Sequence, residues 1–213
     1  MLINNKVSLK AFNSFGIDAI ADSYAFFSTK EELEELLTIP APELLILGGG
    51  SNILFTKDFD GLVLKNEIPG IEILKEDEHH VFIRAGAGVN WHSFVLFCID
   101  RNLAGNVGAS PMQNIGAYGV ELKDVFHQLM AFHIVDRNVR TFSNLDCRFS
   151  YRESVFKTIY KSQFVILNVT FRLNKIPTFN TSYGAIEAEL DKMNAGKSVR
   201  SIAQAIINIR SSR

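Results

Sequence analysis

The stretch from Leu44 to Phe55 constrains this chain more than any other, since three consecutive glycines directly follow an apolar run. The run Leu44–Leu47 predicts a buried strand, the glycines predict a sharp loop, and Ile53–Phe55 predicts a second strand. Glycine permits positive φ and lets a ligand approach the main chain closely. Successive loop amides can converge on a phosphate or pyrophosphate, and the side chains of Ser51 and Asn52 add donors. The alternative is a tight hairpin that binds no ligand.

Two familiar phosphate-binding loops do not match this stretch. The dinucleotide fingerprint requires a glycine three residues after Gly50, where this chain has Ile53. A helix follows the fingerprint, whereas a strand is predicted after this loop. The nucleotide-triphosphatase loop requires a Gly-Lys-Ser or Gly-Lys-Thr step, which this loop lacks. A phosphate would therefore be held by loop amides without a helix terminus behind them. This points away from nicotinamide-type folds.

Composition limits the class of protein. The 213 residues are 47% hydrophobic with a formal net charge of -1, which suits one large or two small domains with a real core. The near-neutral balance without basic blocks predicts no nucleic-acid partner. No apolar run reaches the ~18 residues of a membrane helix and the first residues lack a signal-peptide core, so we expect no membrane insertion.

The cysteines and histidines predict neither a disulfide nor a metal site. Cys98 and Cys147 are far apart, and each lies among apolar neighbours. We therefore expect buried free thiols and a cytoplasmic location. No metal-ligand spacing is present among His79, His80, His92, His127 and His133.

Residues 1–66 are predicted to form a first small α+β unit. Thr29 and Glu32 have the spacing of a capping box, and the leucines that follow form one helical face. Prolines after this helix lead into the glycine-loop strand, and Gly61–Leu64 predicts a further strand. Pro69-Gly70 marks a turn, so we place the boundary after Asn66.

Residues 67–213 are predicted to form the second unit. Alternating apolar residues on either side of His79-His80 predict paired strands, and Asn90 is expected to cap a helix from Trp91 to about Asn102. Long strands are expected over 125–135 and 164–171, and a final helix after Ser198. One side of the strand 125–135 is predicted to carry Phe126, Met130, Phe132 and Ile134.

A second informative stretch runs from Gly105 to Leu122 and is rich in small residues. It buries little apolar surface, so ordering it costs backbone entropy that a core does not require. Its small residues suit close packing against a large flat ligand, and its amides and the Ser110 hydroxyl suit a phosphate. A purely structural loop is the alternative. The stretch reads Gly-Asn-Val-Gly-Ala-Ser-Pro-Met-Gln-Asn-Ile-Gly-Ala-Tyr-Gly-Val-Glu-Leu.

Four motifs together resemble one known family. They are Asn13-Ser14-Phe15-Gly16, Leu47–Asn52, Val107–Leu122 and Tyr151–Lys157, in that order over nearly the whole chain. In these motifs the chain resembles the UDP-N-acetylenolpyruvoylglucosamine reductases, which belong to the FAD-binding class typified by vanillyl-alcohol oxidase. The resemblance implies an α+β fold of that type with two FAD-binding subdomains, residues 1–66 and 67–213.

The resemblance implies FAD as the cofactor. The loop Gly48–Asn52 would hold its pyrophosphate through backbone amides, and Gly108–Gly119 would line the flavin and its phosphates. Many relatives in the wider class attach flavin through a histidine, but neither loop contains one, so we expect non-covalent FAD. The residues assigned to the cofactor are Gly48, Gly49, Gly50, Ser51, Asn52, Gly108, Ala109, Ser110, Gln113, Asn114, Gly116, Ala117, Gly119 and Ile166.

The resemblance also implies a reaction, in which NADPH is the electron donor and the enolpyruvyl ether of a UDP-sugar is reduced to UDP-N-acetylmuramate for peptidoglycan. Arg152 is the expected catalytic residue, because a planar guanidinium matches the enolpyruvyl carboxylate through two parallel hydrogen bonds and stabilises developing charge. Tyr151 and Tyr183 match family tyrosines near the substrate, with half-buried core tyrosines as the alternative. The substrate-binding residues are therefore predicted to be Tyr151, Arg152 and Tyr183.

Two departures from the family pattern bear on activity. The family has a third, substrate-binding domain after a helix like the one at 199–210, and that domain supplies a proton-donating serine. This chain ends there, so we expect it to bind FAD but turn over poorly. The segment Leu103–Asn106 also runs almost directly into the flavin loop, without the family's Ile-Pro-Gly turn. The alternatives are an inactive FAD-binding module and a different flavin oxidoreductase of the same fold.

Overall fold

The computed structural model describes residues 2–103, 111–112, 114, 116–117, 120–176, 181 and 185–211. A short 3-10 helix spans Lys10–Phe12. In chain order the strands and α-helices are β1 (Asn4–Ser8), β2 (Ile20–Phe27), α1 (Lys30–Leu36), β3 (Leu44–Leu47), β4 (Phe59–Asn66), β5 (Ile71–Glu76), β6 (His80–Gly86), α2 (Trp91–Asp100), β7 (Gly116–Ala117), β8 (Val120–Glu121), α3 (Leu122–Val125), β9 (Phe126–His133), β10 (Asn138–Ser143), α4 (Asn144–Cys147), β11 (Phe164–Asn174), α5 (Ile186–Lys192) and α6 (Val199–Ser211).

The first sheet has the strand order β1-β2-β4-β3, with β1 antiparallel to β2 and the other neighbours parallel. The strand predicted at Ile53–Phe55 and the hairpin alternative are both wrong, because β3 and β4 run parallel, with Leu44 opposite Leu62. A parallel neighbour must start at the same edge of the sheet. Residues 48–58 therefore carry the chain back across the sheet instead of turning directly into a strand.

The helix predicted after Thr29 is confirmed as α1. The Thr29 side chain accepts a hydrogen bond from the Glu32 amide at 3.1 Å, and the Glu32 carboxylate accepts one from the Ser28 amide at 2.6 Å. These bonds satisfy donors that a helix start leaves open. The helix then buries Leu33 and Leu36 against the first sheet.

The second sheet is antiparallel, with the order β10-β9-β11-β6-β5. The paired strands predicted around His79-His80 are confirmed as β5 and β6, with Ile73 opposite Ile83. The Asn90 side chain accepts a hydrogen bond from the Ser93 amide at 3.3 Å and caps α2, as predicted. The predicted strand 164–171 is part of the longer central strand β11.

The predicted face of β9 is wrong at Phe126, which packs in the same core cluster as Leu129, whereas Phe132 packs in another. The register explains the difference, because Phe126 pairs with Phe171 while Gln128 already pairs with Thr170. One extra residue lies on β9 between these pairs. Such a bulge shifts the alternation of side chains by one position.

The two sheets share a core. Ala25 and Phe27 of β2 and Leu62 and Leu64 of β4 pack with residues of the second sheet, and the helix α1 closes the same cluster. The second sheet contributes Phe132, Val165 and Leu167. The division into units 1–66 and 67–213 stays a prediction, since burial joins the sheets across it.

Helices α5 and α6 form a separate small cluster built on Ile186, Leu190, Ile202 and Ala205. The final helix predicted after Ser198 is confirmed, because α6 begins at Val199. Helix α5 is not predicted from the sequence; it is as short as α1 but begins after Ala185 and so lacks the side-chain cap that marks the start of α1.

Both cysteines are free and buried, as predicted. Burial raises the pKa of the Cys98 and Cys147 thiols to about 12. A thiol with so high a pKa stays protonated at neutral pH and is a poor nucleophile.

A buried amide joins the sheets directly. Asn66 is the last residue of β4, and its Nδ2 donates to the carbonyl oxygen of Ile166 on β11 at 2.9 Å. Its Oδ1 accepts from the Ile68 amide at 3.2 Å. The Ala87 amide donates to the Leu167 carbonyl at 2.9 Å. Asn66 therefore fixes the end of the first sheet against the middle of the second.

We expect Asn66→Ala to lower the free energy of unfolding by about 2 kcal/mol, because it leaves the part-buried Ile166 carbonyl and Ile68 amide without their side-chain partner. Asn138→Ala is the matched control, since Asn138 is exposed at the start of β10 and should change stability by less than about 0.5 kcal/mol. Urea unfolding of both variants measures the difference. Equal effects would contradict the bridging role of Asn66.

Candidate cofactor and substrate site

The glycine loop that follows β3 presents an open main chain. Gly48 and Gly49 are exposed, and a Cβ built on either would meet no atom within 4 Å. Gly50 is buried with φ +68, and a Cβ there would overlap the carbonyl oxygen of Phe12. Two glycines thus leave space for a ligand, whereas the third is required by the fold. Ser51 and Asn52 follow and are exposed.

The N-terminal motif supports this loop. The Ser14 amide donates to the Gly50 carbonyl at 3.0 Å. The Asn13 side chain is buried; it donates to the carbonyls of Leu9 and Ile17 at 2.8 and 2.9 Å and accepts from the Ile17 amide at 3.0 Å. Asn13 therefore closes the turn that holds the glycine loop. The sequence pattern marks this motif only through resemblance, and the structure gives its physical role.

The loop also lies beside the junction of the sheets. Leu47, the last residue of β3, pairs with Lys65, so Gly48 begins the loop at the level of Asn66. Asn66 in turn contacts Ile166. The main chain of Ile166 thus lies near the level where the glycine loop begins, whereas its side chain packs against the core cluster of Phe126 and Leu129.

Asn114 is buried and its side chain is fully used within the protein. Its Nδ2 donates to the Ser150 carbonyl at 2.9 Å and to the Glu121 carboxylate at 3.2 Å. Its Oδ1 accepts from the Lys123 amide at 3.1 Å. The side chain therefore has the contacts of a positioning group, and it ties the Val107–Leu122 motif to Ser150, the residue before the Tyr151–Lys157 motif.

Ser154 makes a second link between these motifs. Its buried hydroxyl donates to the Met112 carbonyl at 2.6 Å and accepts from the Phe156 amide at 3.3 Å. The sequence analysis does not assign Ser154 to the site. Its position within the Tyr151–Lys157 motif is the signal that could have identified it. Two independent hydrogen bonds now hold the Tyr-Arg turn against the predicted flavin loop.

Tyr151 and Arg152 lie at the tip of this turn. Tyr151 is 83% exposed. Arg152 is exposed, has φ 56, and accepts a hydrogen bond from Lys157 at its carbonyl, at 2.9 Å. Among the residues that the structure describes, its guanidinium makes no ion pair within 4.0 Å. A free guanidinium at an exposed tip is available to an anionic ligand.

Glu121 lies near this guanidinium. The ion pair with Lys123 lowers the pKa of the Glu121 carboxyl, and the Asn114 hydrogen bond and the charge of Arg152 lower it further. A carboxyl with a lowered pKa is ionised at neutral pH. Glu121 is therefore suited to orient cations and does not donate a proton.

The central strand β11 carries a polar residue that the sequence analysis does not assign. The side-chain oxygen of Asn168 is enclosed and, among the described residues, has no hydrogen-bond partner. Asparagine within the nearly continuous apolar run of β11 is the signal that could have identified it. Asn168 lies two residues beyond Ile166, which is partly buried against the larger core, the apolar cluster that contains Phe94, Leu129 and Phe171.

Six of the predicted site residues lie outside the described ranges, and two others form a short strand. Gly116 and Ala117 form β7 and pair with β8. No metal-ligating group of three or more residues occurs in the described ranges, and no helix among them is long and apolar enough to cross a membrane. The predicted residues outside the described ranges are Gly108, Ala109, Ser110, Gln113, Gly119 and Tyr183.

Residues 21–142 match the FAD binding domain family. The solved UDP-N-acetylenolpyruvylglucosamine reductase of Thermus caldophilus has a similar fold, with a TM-score of 0.67 at 16% identity over 100% of this chain and 96% of that one. Cholesterol oxidase from Brevibacterium sterolicum aligns with a TM-score of 0.53 at 12% identity over 81% of this chain and 38% of that one. The predicted α+β, FAD-binding fold of the vanillyl-alcohol oxidase type is confirmed.

Alanine substitution should separate the two kinds of glycine in the loop. We expect Gly50→Ala to destabilise the FAD-free protein by about 3 kcal/mol, because of the positive φ and the overlap with main chain. Gly49→Ala should leave stability unchanged or slightly higher. It should nevertheless weaken FAD binding, because the methyl group occupies the open side of the loop.

Urea unfolding and FAD titration of both variants test this expectation. A Gly49→Ala protein that loses stability like Gly50→Ala, or binds FAD like the unaltered chain, would contradict the assignment of an open ligand-facing side to the loop.

Curated relatives extend over the whole chain. The UDP-N-acetylenolpyruvoylglucosamine reductase of Amoebophilus asiaticus is 46% identical over 99% of this chain and 66% of that protein. The reductase of Flavobacterium johnsoniae is 44% identical over 100% of this chain and 67% of that protein. The chain thus spans about two thirds of the length of these relatives. By the four motifs, the fold and these identities, the chain belongs to the UDP-N-acetylenolpyruvoylglucosamine reductase family.

Proposed function

We propose that this chain forms the FAD-binding part of an enzyme that reduces UDP-N-acetylglucosamine enolpyruvate to UDP-N-acetylmuramate with NADPH, in peptidoglycan synthesis. The observation that carries the proposal is the Tyr-Arg turn. Two part-buried hydrogen bonds from Asn114 and Ser154 link it to the Val107–Leu122 motif, and its guanidinium makes no ion pair with the residues that the structure describes. The names of the relatives give the substrate class. Two free thiols fit a reducing compartment, so we propose a cytoplasmic location.

FAD would be held at the junction of the two sheets. The main-chain amides of Gly48–Asn52 suit its pyrophosphate. Gly48 and Gly49 have no side chains and open space beside them, so an anion can approach the main chain closely. The described residues fit the cofactor in a second respect, since the enclosed side-chain oxygen of Asn168 on β11 has no hydrogen-bond partner among them. The chemistry that FAD supplies when bound is hydride transfer, from NADPH to the enolpyruvyl double bond.

Arg152 would bind the carboxylate of the enolpyruvyl group. Its guanidinium can donate two parallel hydrogen bonds to a carboxylate, and it stabilises negative charge that develops there. Tyr151 at the same tip would contact the substrate. Asn114 and Ser154 are positioning residues in this scheme, because they fix the turn that carries Arg152.

The proton that completes the reduction would come from a group other than Glu121. The ion pair with Lys123 keeps the pKa of that carboxyl low, so at neutral pH it holds no proton to give. This agrees with the relatives' additional length, in which a separate acid can reside.

Titration of the FAD-loaded chain with the enolpyruvyl UDP-sugar tests the substrate. We expect a flavin absorbance change that UDP-N-acetylglucosamine, which lacks the carboxylate, does not produce. Arg152→Ala should weaken this binding at least about tenfold, and Arg152→Lys should restore only part of it, because an ammonium lacks the paired donors. FAD affinity should not change.

Arg148→Ala is the matched control, because Arg148 is also exposed with positive φ, at 46. It should bind the UDP-sugar like the unaltered chain. Equal losses in the Arg148 and Arg152 variants would contradict the role of Arg152. An FAD-loaded chain whose spectrum ignores the enolpyruvyl sugar would instead favour a binding module or another substrate.

A further inference from the structure

The side-chain oxygen of Asn168 is the starting point, because it is enclosed and has no partner among the described residues. Asn168 lies in the central strand of a five-stranded sheet. A buried acceptor without a donor destabilises a protein, so native structures rarely keep one without a reason. A ligand that brings a donor to this position is one such reason.

The strand geometry places Asn168 on the side of the first sheet. Val169 and Phe171 pack in the larger core on one face of β11, so Asn168 lies on the opposite face. Leu167, on that opposite face, packs against the first sheet. The register shift between Ile166 and Asn168 places an extra residue there, so Leu167 and Asn168 point to the same side.

Neither cross-strand neighbour of Asn168 has a side-chain donor for its oxygen. Its partner on β6 is Gly86, which has no side chain, and its partner on β9 is Met130. A Cβ at Gly86 would overlap the carbonyls of Ile68 and Pro69, so this position stays without a side chain. Asn168 is also two residues from Ile166, whose carbonyl binds Asn66 beside the glycine loop. The enclosed oxygen thus lies close to the proposed FAD site.

The oxidised isoalloxazine ring carries one ring N–H, the imide, between two carbonyl groups. A carboxamide offers one acceptor and one donor group and is complementary to that edge. We propose that the Asn168 side chain accepts a hydrogen bond from the imide N–H of bound FAD. This inference rests on the proposed position of FAD between the two sheets. Asn168 thereby orients the ring by its pyrimidine edge.

Opposite effects on stability and on binding distinguish this role from a structural one. Asn168→Leu removes the unpartnered oxygen at nearly constant volume, so the FAD-free variant should melt at a higher temperature than the unaltered chain. The same variant should bind FAD about tenfold more weakly, because the imide N–H loses its acceptor. Asn174→Leu, at the exposed end of the same strand, is the control and should not change FAD affinity.

The experiment combines thermal melting without FAD with fluorescence titration using FAD and 3-methyl FAD, in which the imide N–H is blocked. The unaltered chain should bind 3-methyl FAD about tenfold more weakly than FAD, and Asn168→Leu should bind both equally. If Asn168→Leu does not fold, the comparison of the two flavins on the unaltered chain decides.

Equal affinity of the unaltered chain for both flavins, or an unchanged FAD affinity in Asn168→Leu, would overturn the inference and leave the proposed function intact. An unaltered, folded chain that binds no FAD would overturn the proposed function and this inference with it.

Discussion

The hydrogen bond from Asn66 to the Ile166 carbonyl is the constraint on which the site depends. It joins the last residue of β4 to the middle of β11, at the level where the glycine loop begins. The shared apolar core brings the sheets together, but burial is non-directional and does not set their registration. A buried amide with both its donor and its acceptor used does set it. The loop and the central strand are thereby held as one unit.

The same junction contains features that a structure optimised for stability alone would lack. Gly48 and Gly49 leave exposed main chain, and the enclosed oxygen of Asn168 has no partner in the part of the chain that the structure describes. Unfavourable features of this kind concentrate at ligand sites, where binding compensates for them. Their presence on both sheets favours a ligand that spans the junction.

Local chemistry allows part of this fold to be predicted from sequence. The Thr29 and Asn90 caps and the strands around His79-His80 follow from neighbours in the chain, and the structure confirms them. The parallel return from β3 to β4 and the bulge before Gln128 depend on pairing with distant strands, so periodicity alone cannot predict them. The contacts of Asn114 and Ser154 with the other motif are equally non-local. Resemblance could mark those motifs, but only the structure gives each side chain its role.

The central claim is that FAD lies between the two sheets, with its pyrophosphate on the glycine loop and its ring beside β11. A crystal structure of the chain with FAD tests this most directly. The account predicts phosphate oxygens about 3 Å from amides of Gly48–Asn52 and the isoalloxazine imide at Asn168. FAD bound on the opposite face of the second sheet, or away from the glycine loop, would contradict it.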